Sequence, residues 1–337
     1  LAYSSLKTYA RGRSLLGPQT ACNRFFLAVL LLTLAVSSGC QNGSENTSRA
    51  AAHASTGPKK IIVNPSSHQE LVKLFTAHEY DLENLNEGIP PLVVKSLPEN
   101  LHQIQDLKEK KKVFFLSILP ITLIANQQIQ LQREELKEIF KKIGLGEPLS
   151  PAETDFLDAT LKSYKLSGDP VNDQRLRREL LKRVDIIPPA LVLAQAASES
   201  AYGTSRFSRL ANNLFGEWTF TPGTGIVPLD RPDGKTYEVR RFKTISASLH
   251  SYLRNLNTHR AYRELREKRA FMRSEGRPLK SLDLADGLVH YSIQGQKYVQ
   301  SIKRIILQNR LSRLSQAKLR VPASRSLALD TLGSGGF

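Results

Sequence analysis

The 337-residue chain is predicted to be an α+β protein, mainly helical, with one small β-lobe late in the sequence. Three observations carry this. Apolar residues recur at helical spacing over much of the chain beyond residue 105. Residues 216–243 break that pattern: Gly, Pro, Thr and aromatic residues alternate with short β-prone runs. Between these, Ala190–Glu199 is alanine-rich and apolar nearly all round, as a central helix must be.

Lys7, Arg11, Arg13 and Arg24 precede a short apolar run, Phe25–Val36. The run is too short to span a bilayer as a helix and suits a signal-peptide core. Ser37-Ser38-Gly39-Cys40 follows and resembles a bacterial lipoprotein signal, with Ser37 where leucine is usual. The resemblance implies a lipidated Cys40, a signal peptide over residues 1–40 and an exported, periplasm-facing protein tied to the membrane by lipid alone. Gln41 after the cysteine implies the outer membrane. The basic segment ahead of the run is long and Met272 is the only methionine, so the true start is expected beyond Leu1, near residue 15. Cys22 leaves with the signal and Cys40 is the anchor, so no internal disulfide is expected.

Residues 41–60 are small, polar and basic, a flexible tether. Residues 61–184 form a mainly helical N-terminal region that begins with short apolar clusters between Pro and Asn breaks. Val113–Ala125 reads as a buried helix kinked at Pro120. A second, amphipathic helix over 128–142 carries Leu131, Leu136, Ile139 and Phe140 on one stripe. Ser150-Pro151-Ala152-Glu153 is a capping-box helix start, and 172–184 is a further basic helix.

Residues 185–312 make the second domain. Pro188-Pro189 opens its central helix, and Gly203 is placed to end it in the left-handed conformation. Trp218–Thr221 and Tyr237–Phe242 are the strands of the lobe, and Pro232-Asp233-Gly234 is a turn, with Asp230 and Asp233 as loop residues. Thr244 caps a helix whose Leu249, Tyr252, Leu253 and Leu256 face the core. Closing helices over 282–292 and 296–310 flank Gly295, and a loose tail occupies 313–337.

A formal charge of +17 attracts polyanions: nucleic acid, anionic lipid or an acidic wall polymer. Many of the cations (Arg254–Arg273, Lys303–Arg320) also suit solvated helix faces. There is no RNP or zinc-finger signature, so nucleic acid is not an expected partner. The seven histidines never fall in HExxH spacing and GxSxG is absent, so neither a zinc peptidase nor a serine hydrolase is expected, and no metal or cofactor is required.

The chemistry centres on Glu199. It lies in the last turn of the apolar helix, where both the negative helix end and desolvation raise a carboxyl's pKa. A carboxyl still protonated near neutrality can serve as a general acid. The other reading is an exposed glutamate at a frayed helix end.

Downstream of Ser198-Glu199-Ser200-Ala201-Tyr202-Gly203-Thr204-Ser205 come Asn212-Asn213-Leu214-Phe215-Gly216, then Arg241-Phe242, then Tyr291-Ser292 and Tyr298. This ordered series, over about 185–310, resembles the glucosaminidase-domain family, glycoside hydrolase family 73, in its Bax-type branch. Residues 105–184 resemble that branch's N-terminal extension. The resemblance implies a lysozyme-like fold with a cleft between helical body and β-lobe. It also implies hydrolysis of the β-1,4 bond between N-acetylglucosamine and N-acetylmuramic acid in peptidoglycan strands; the protein is expected to be a monomer.

On that resemblance Glu199 is the catalytic acid. Glu238, 39 residues later, matches a proposed partner carboxylate, with Glu217 as competitor. The substrate's acetamido group can also fill that role. Tyr291 lines the cleft beside the acid. Asn213, Phe215, Trp218, Tyr202 and Tyr298 complete the substrate-binding set, Trp218 by stacking on a sugar or else by packing, Asn213 and Phe215 by shaping the turn beneath the acid. Thr219 and Thr224 stand where the branch often has two cysteines, so its loop disulfide is absent. The alternatives are a lytic transglycosylase of the same fold, whose usual Gly-Leu-Met-Gln motif is missing here, and a wall-binding lipoprotein without catalysis.

Overall fold

A computed structural model describes residues 59–229 and 231–320. The signal segment, Cys40, most of the tether, Asp230 and the tail beyond residue 320 lie outside the described residues.

Strands β1 (Ile61–Val63) and β2 (Leu92–Val94) pair in parallel, Ile61 opposite Leu92. Helix α1 (His68–Ala77) lies between them in the chain, its first turn capped by the Ser67 side chain. The helix expected over Val113–Ala125 and the amphipathic one expected over 128–142 are one: α2 runs unbroken from Leu107 to Gly144. Pro120 removes one backbone bond, but every residue from Val113 to Asn126 is buried, and that packing outweighs a cost of about 3 kcal/mol. Ser117 and Thr122 donate back to the carbonyls of Val113 and Ile118, both at 2.8 Å, so their hydroxyls are satisfied within the helix. By length and composition α2 could cross a membrane, yet 78% of its apolar window is buried inside the protein, which makes it a core helix.

Helix α3 (Pro151–Ser163) opens with the expected capping box between Ser150 and Glu153. Helix α4 (Gln174–Arg183) follows, and α5 (Pro189–Ser200) starts with its proline in the first turn. After α6 (Arg206–Ala211) come β3 (Trp218–Thr219), β4 (Gly225–Ile226) and β5 (Glu238–Arg240). They form an antiparallel sheet with β5 in the middle. The turn at Pro232 closes with Lys235 N–H donating to its carbonyl at 3.2 Å. Thr244 caps α7 (Ile245–Thr258), and the four residues expected to face the core are buried.

Helix α8 (Arg263–Ser274) is followed by α9 (Ser281–Ala285), a single 3-10 turn over Asp286–Leu288, and α10 (Gln296–Gln308). The first closing helix is thus much shorter than its expected span to residue 292. It ends where the chain crosses α8: a Cβ on Gly287 would lie 2.4 Å from Leu265 Cα. Tyr291 consequently sits on a turn rather than on a helix.

Helix α5 is the centre of the molecule. Its residues 189–197 are buried, and α2, α9, α10 and the turn Leu311–Gln316 pack against it. One core joins Leu71, Leu101 and Phe114 of the N-terminal region to Leu253, Ile302 and Leu314. A second, smaller core joins the far half of α2 to α3 and α4 through Leu136, Ile139, Leu161 and Leu180. The first residues of the expected tail are folded: Ile89 N–H donates to Lys318 O at 2.7 Å, and Arg320 N–H to Ile89 O at 2.8 Å.

The segment leading into α5 is pinned by buried polar groups. Asp185 is 1% exposed and faces Arg133, Arg269 and Arg273, the last at 2.9 Å. Arg269, wholly buried, donates to the carbonyls of Lys182, Asp185 and Ile186 and to Asn257 Oδ1. Burial pushes its guanidinium down to about 10, against the pull of Asp185. Burial alone would raise the Asp185 carboxyl, but Arg269, Arg273 and Arg133 together hold it below the usual carboxylate range. A carboxyl depressed in the folded state contributes stability that is present above its unfolded pKa and lost as pH falls through the folded one. Asp185→Asn should therefore cost about 3–5 kcal/mol in urea unfolding at pH 7. As pH falls below the ordinary aspartate value and on through the lower folded one, where the carboxyl protonates in the wild type too, the difference should shrink.

Candidate active site

Glu199 occupies the last turn of α5. The helix ends at Ser200, and Ala201 (φ 50°) rather than Gly203 takes up the left-handed cap, followed by Tyr202 (φ 55°) and Gly203 (φ 79°). Side-chain hydrogen bonds hold this uncommon run in place. Ser200 Oγ donates to Ala196 O at 2.6 Å and accepts from Gly203 N–H at 2.8 Å, while Ser208 Oγ donates to Gly203 O at 2.7 Å. Glycine at 203 answers a space requirement as well: a Cβ would lie 2.5 Å from Leu97 Cδ1 and 3.1 Å from Phe114 Cδ2. The N-terminal region thus presses directly on the turn behind the acid.

Glu199 is half-buried. Desolvation raises its carboxyl above the ordinary glutamate range, opposed by a hydrogen bond from the Tyr298 hydroxyl. Four phenols surround it. Tyr298 stacks on Tyr291, centroids 5.2 Å apart and planes 7° from parallel, and Tyr291 lies 5.8 Å from Tyr262. Tyr252 reaches Tyr298 through Gln195: Tyr252 Oη donates to Gln195 Oε1 at 2.6 Å, and Gln195 Nε2 donates to Tyr298 Oη at 3.0 Å. Burial, then the nearby Glu199 charge, pushes the Tyr291 and Tyr298 hydroxyls well up, and Tyr262 to about 12. All four therefore stay neutral at physiological pH.

The β-lobe carries the second carboxyl. Glu238 Oε1 accepts from Gly223 N–H at 2.9 Å and Oε2 from Gly225 N–H at 2.8 Å. The Gly223 bond is the largest cause that holds this carboxyl below the usual range. Gly225 has no room for a side chain, since a Cβ would lie 2.4 Å from Val239 O. Across the same loop the Thr219 and Thr224 hydroxyls hydrogen-bond at 2.8 Å, so a polar contact spans the positions where the branch often has cysteines. The competitor Glu217 is paired with Arg240. Buried Asn213 ties the lobe to α6, donating to the carbonyls of Glu217 and Arg240, both at 2.8 Å, and accepting from Glu217 N–H at 3.0 Å.

Of the residues singled out in the sequence, Glu199, Tyr291 and Tyr298 come together. Phe215 stacks on Tyr252 at 3.8 Å, one layer behind them. Glu238, Asn213 and Trp218 belong to the lobe, where Trp218 meets Tyr237 edge-on at 4.7 Å. Tyr202 turns towards the N-terminal region: its ring contacts Phe114 and Phe115, each at 5.9 Å, and Lys111 Nζ lies 5.4 Å from its centroid. Gln195, Tyr252 and Tyr262 had not been singled out for the site. Gln195 carried a signal, as the one polar residue one turn before Glu199 on the same face. The two tyrosines had none beyond core periodicity. Among the described residues no cluster of His, Cys, Asp and Glu could hold a metal ion.

The chain thus carries a helix-end carboxyl among neutral phenols, followed by a small lobe that bears a second carboxyl. It belongs to the glucosaminidase-domain family: the family profile, described as mannosyl-glycoprotein endo-beta-N-acetylglucosaminidase, matches residues 175–311. It is similar to Protein bax of Escherichia coli (strain K12), 32% identical over 203 residues, 60% of this chain and 70% of that protein. No solved structure matches.

A glutamate whose folded pKa is raised contributes stability that is present below its unfolded pKa and lost as pH rises through the folded one. Glu199→Gln should therefore raise the melting temperature at pH 8, with the gain disappearing below about pH 4, as followed by circular dichroism.

Proposed function

We propose that this protein is a peptidoglycan hydrolase, an endo-β-N-acetylglucosaminidase that cleaves between N-acetylglucosamine and N-acetylmuramic acid. The observation that supports it most is the opposite displacement of two carboxyls: Glu199 raised by burial, Glu238 lowered by two backbone N–H donors. Two carboxyls pushed apart in this way are suited to acid and base work at one pH. Glu199 protonates the glycosidic oxygen. Glu238 has spent two of its roughly four lone-pair positions on the loop and keeps the rest for a water or a developing positive charge. Tyr291, neutral beside the acid, orients the acetamido group, and Trp218 offers an aromatic face to the sugar. The basic composition draws the enzyme to an acidic polymer, an attraction that salt weakens. We further read the chain as a lipoprotein held through Cys40 at the outer membrane.

Digestion of purified peptidoglycan followed by mass spectrometry tests the reaction. Reducing N-acetylglucosamine ends are expected; anhydro-muramic ends would move the protein to the transglycosylases. Glu199→Gln should lower kcat by about 10²–10⁴, and full activity in that variant would refute its role as the acid. Glu238→Gln should lose activity without losing the fold, its melting temperature falling because one loop N–H is left facing an amide NH2, whereas an equal activity loss confined to Glu217→Gln would transfer the role to Glu217. For the anchor, Cys40→Ser should abolish both fatty-acid labelling and membrane fractionation in a bacterial host.

A further inference from the structure

We propose that Gln195 is a positioning residue for Glu199, acting through Tyr298, and that Tyr252 completes the relay. The proposal rests on Glu199 being the acid. Gln195 is 0% exposed, on a helix whose other buried positions up to Ala197 are aliphatic. Burying an amide is costly unless its atoms are hydrogen-bonded. Here both ends are engaged, Oε1 by the Tyr252 hydroxyl and Nε2 by Tyr298 Oη. Tyr252 and Tyr298 are 2% and 3% exposed, so water does not compete for these groups.

The donors set the direction of the relay. Tyr252 gives its one proton to Gln195 Oε1, which leaves Nε2–H to face Tyr298. Tyr298 Oη accepts that hydrogen, and because Gln195 and Glu199 lie one turn apart on the same face of α5, the hydroxyl's own single proton is left for the carboxyl of Glu199. A hydroxyl that accepts a hydrogen bond becomes a stronger donor in turn. Once Glu199 has delivered its proton, it is an anion in a desolvated place, and the Tyr298 hydrogen bond stabilises that anion. Gln195 therefore tunes the acid and fixes the phenol that orients it. The titratable groups facing Glu199 are Tyr252 of α7, Tyr262 after it, Tyr291 on the turn and Tyr298 of α10. Each is a neutral phenol, so the relay works by hydrogen bonding rather than by a neighbouring charge.

The test compares the full-length wild type with Gln195→Met, Tyr252→Phe, Tyr298→Phe and the Gln195→Met/Tyr298→Phe double variant. Each is titrated by carboxyl ¹³C NMR, with the Glu199 signal assigned through its loss in Glu199→Gln. Gln195→Met should move the Glu199 midpoint upward, Tyr252→Phe should move it less in the same direction, and the double variant should match Tyr298→Phe alone. The basic limb of the kcat profile should follow to higher pH. In Gln195→Met, kcat should fall roughly tenfold with KM kept, as befits a weakened hydrogen bond to a charged group. An unmoved midpoint in Gln195→Met would overturn the proposal, and so would a full Gln195 effect persisting without the Tyr298 hydroxyl. If Gln195→Met fails to fold, Tyr252→Phe decides, since it deletes one hydroxyl and keeps the ring; an unmoved midpoint there overturns the relay. The NMR titration needs no turnover. A fully active Glu199→Gln would refute the acid assignment while the relay was judged separately.

Discussion

Almost every face of α5 is covered by protein, and the rest of the architecture answers to that. A helix with aliphatic packing on all sides cannot send its polar groups to water, so each must find a partner inside. Ser200 spends its hydroxyl on the helix and on the turn that follows. Gln195 is satisfied by two phenols from α7 and α10. Glu199 is the exception, a carboxyl only partly compensated by one hydrogen bond, and its raised pKa is the direct result of that shortfall. Burial of the helix and the chemistry of its last turn are thus one constraint.

The two ends of α5 are fixed by different physics. At the start, three arginines gather around Asp185, and Arg269 and Arg133 satisfy the carbonyls of the entering chain. Such a charged hub tolerates little displacement, because any shift leaves a buried ion unpaired. At the far end the constraint is steric: Leu97, Leu101 and Phe114 close over Gly203. These three residues lie outside the segment matched by the family profile, yet they bound the turn behind Glu199. The N-terminal region is therefore part of what holds the acid in place. The β-lobe is assembled separately, with Asn213 as its bolt to α6 and Glu238 as the anion that gathers the glycine loop.

Much of this was legible in the residues. The capping box at Ser150, the Thr244 cap and the turn at Pro232 rest on local hydrogen bonds between near neighbours, so sequence spacing alone exposes them. Glu199 could be found because a lone acid ending an apolar helix conflicts with both burial and the helix dipole. The errors share one origin. The break expected between residues 125 and 128 and the closing helix expected to reach residue 292 followed local pattern, while the outcome was set by packing from distant elements: a buried stripe that carries α2 on past Ala125, and a helix crossing at Gly287 that cuts α9 short. Tyr202 sits three residues from the acid, but its left-handed backbone swings the ring away towards α2.

By itself the sequence determined a mainly helical protein with a small late β-lobe, the buried central helix and the carboxyl in its last turn. These follow from composition and short-range periodicity, which the chain displays openly. Only the tertiary structure decided what surrounds that acid. Gln195 and Tyr298 are 103 positions apart, Gln195 and Tyr252 57 apart, and no local pattern marks either pair as partners. The same is true of Glu238, whose two oxygens are bound by backbone N–H groups that have no side-chain signature at all. Hydrogen bonds made across the fold depend on where whole elements come to rest, and that is settled by the packing of the core.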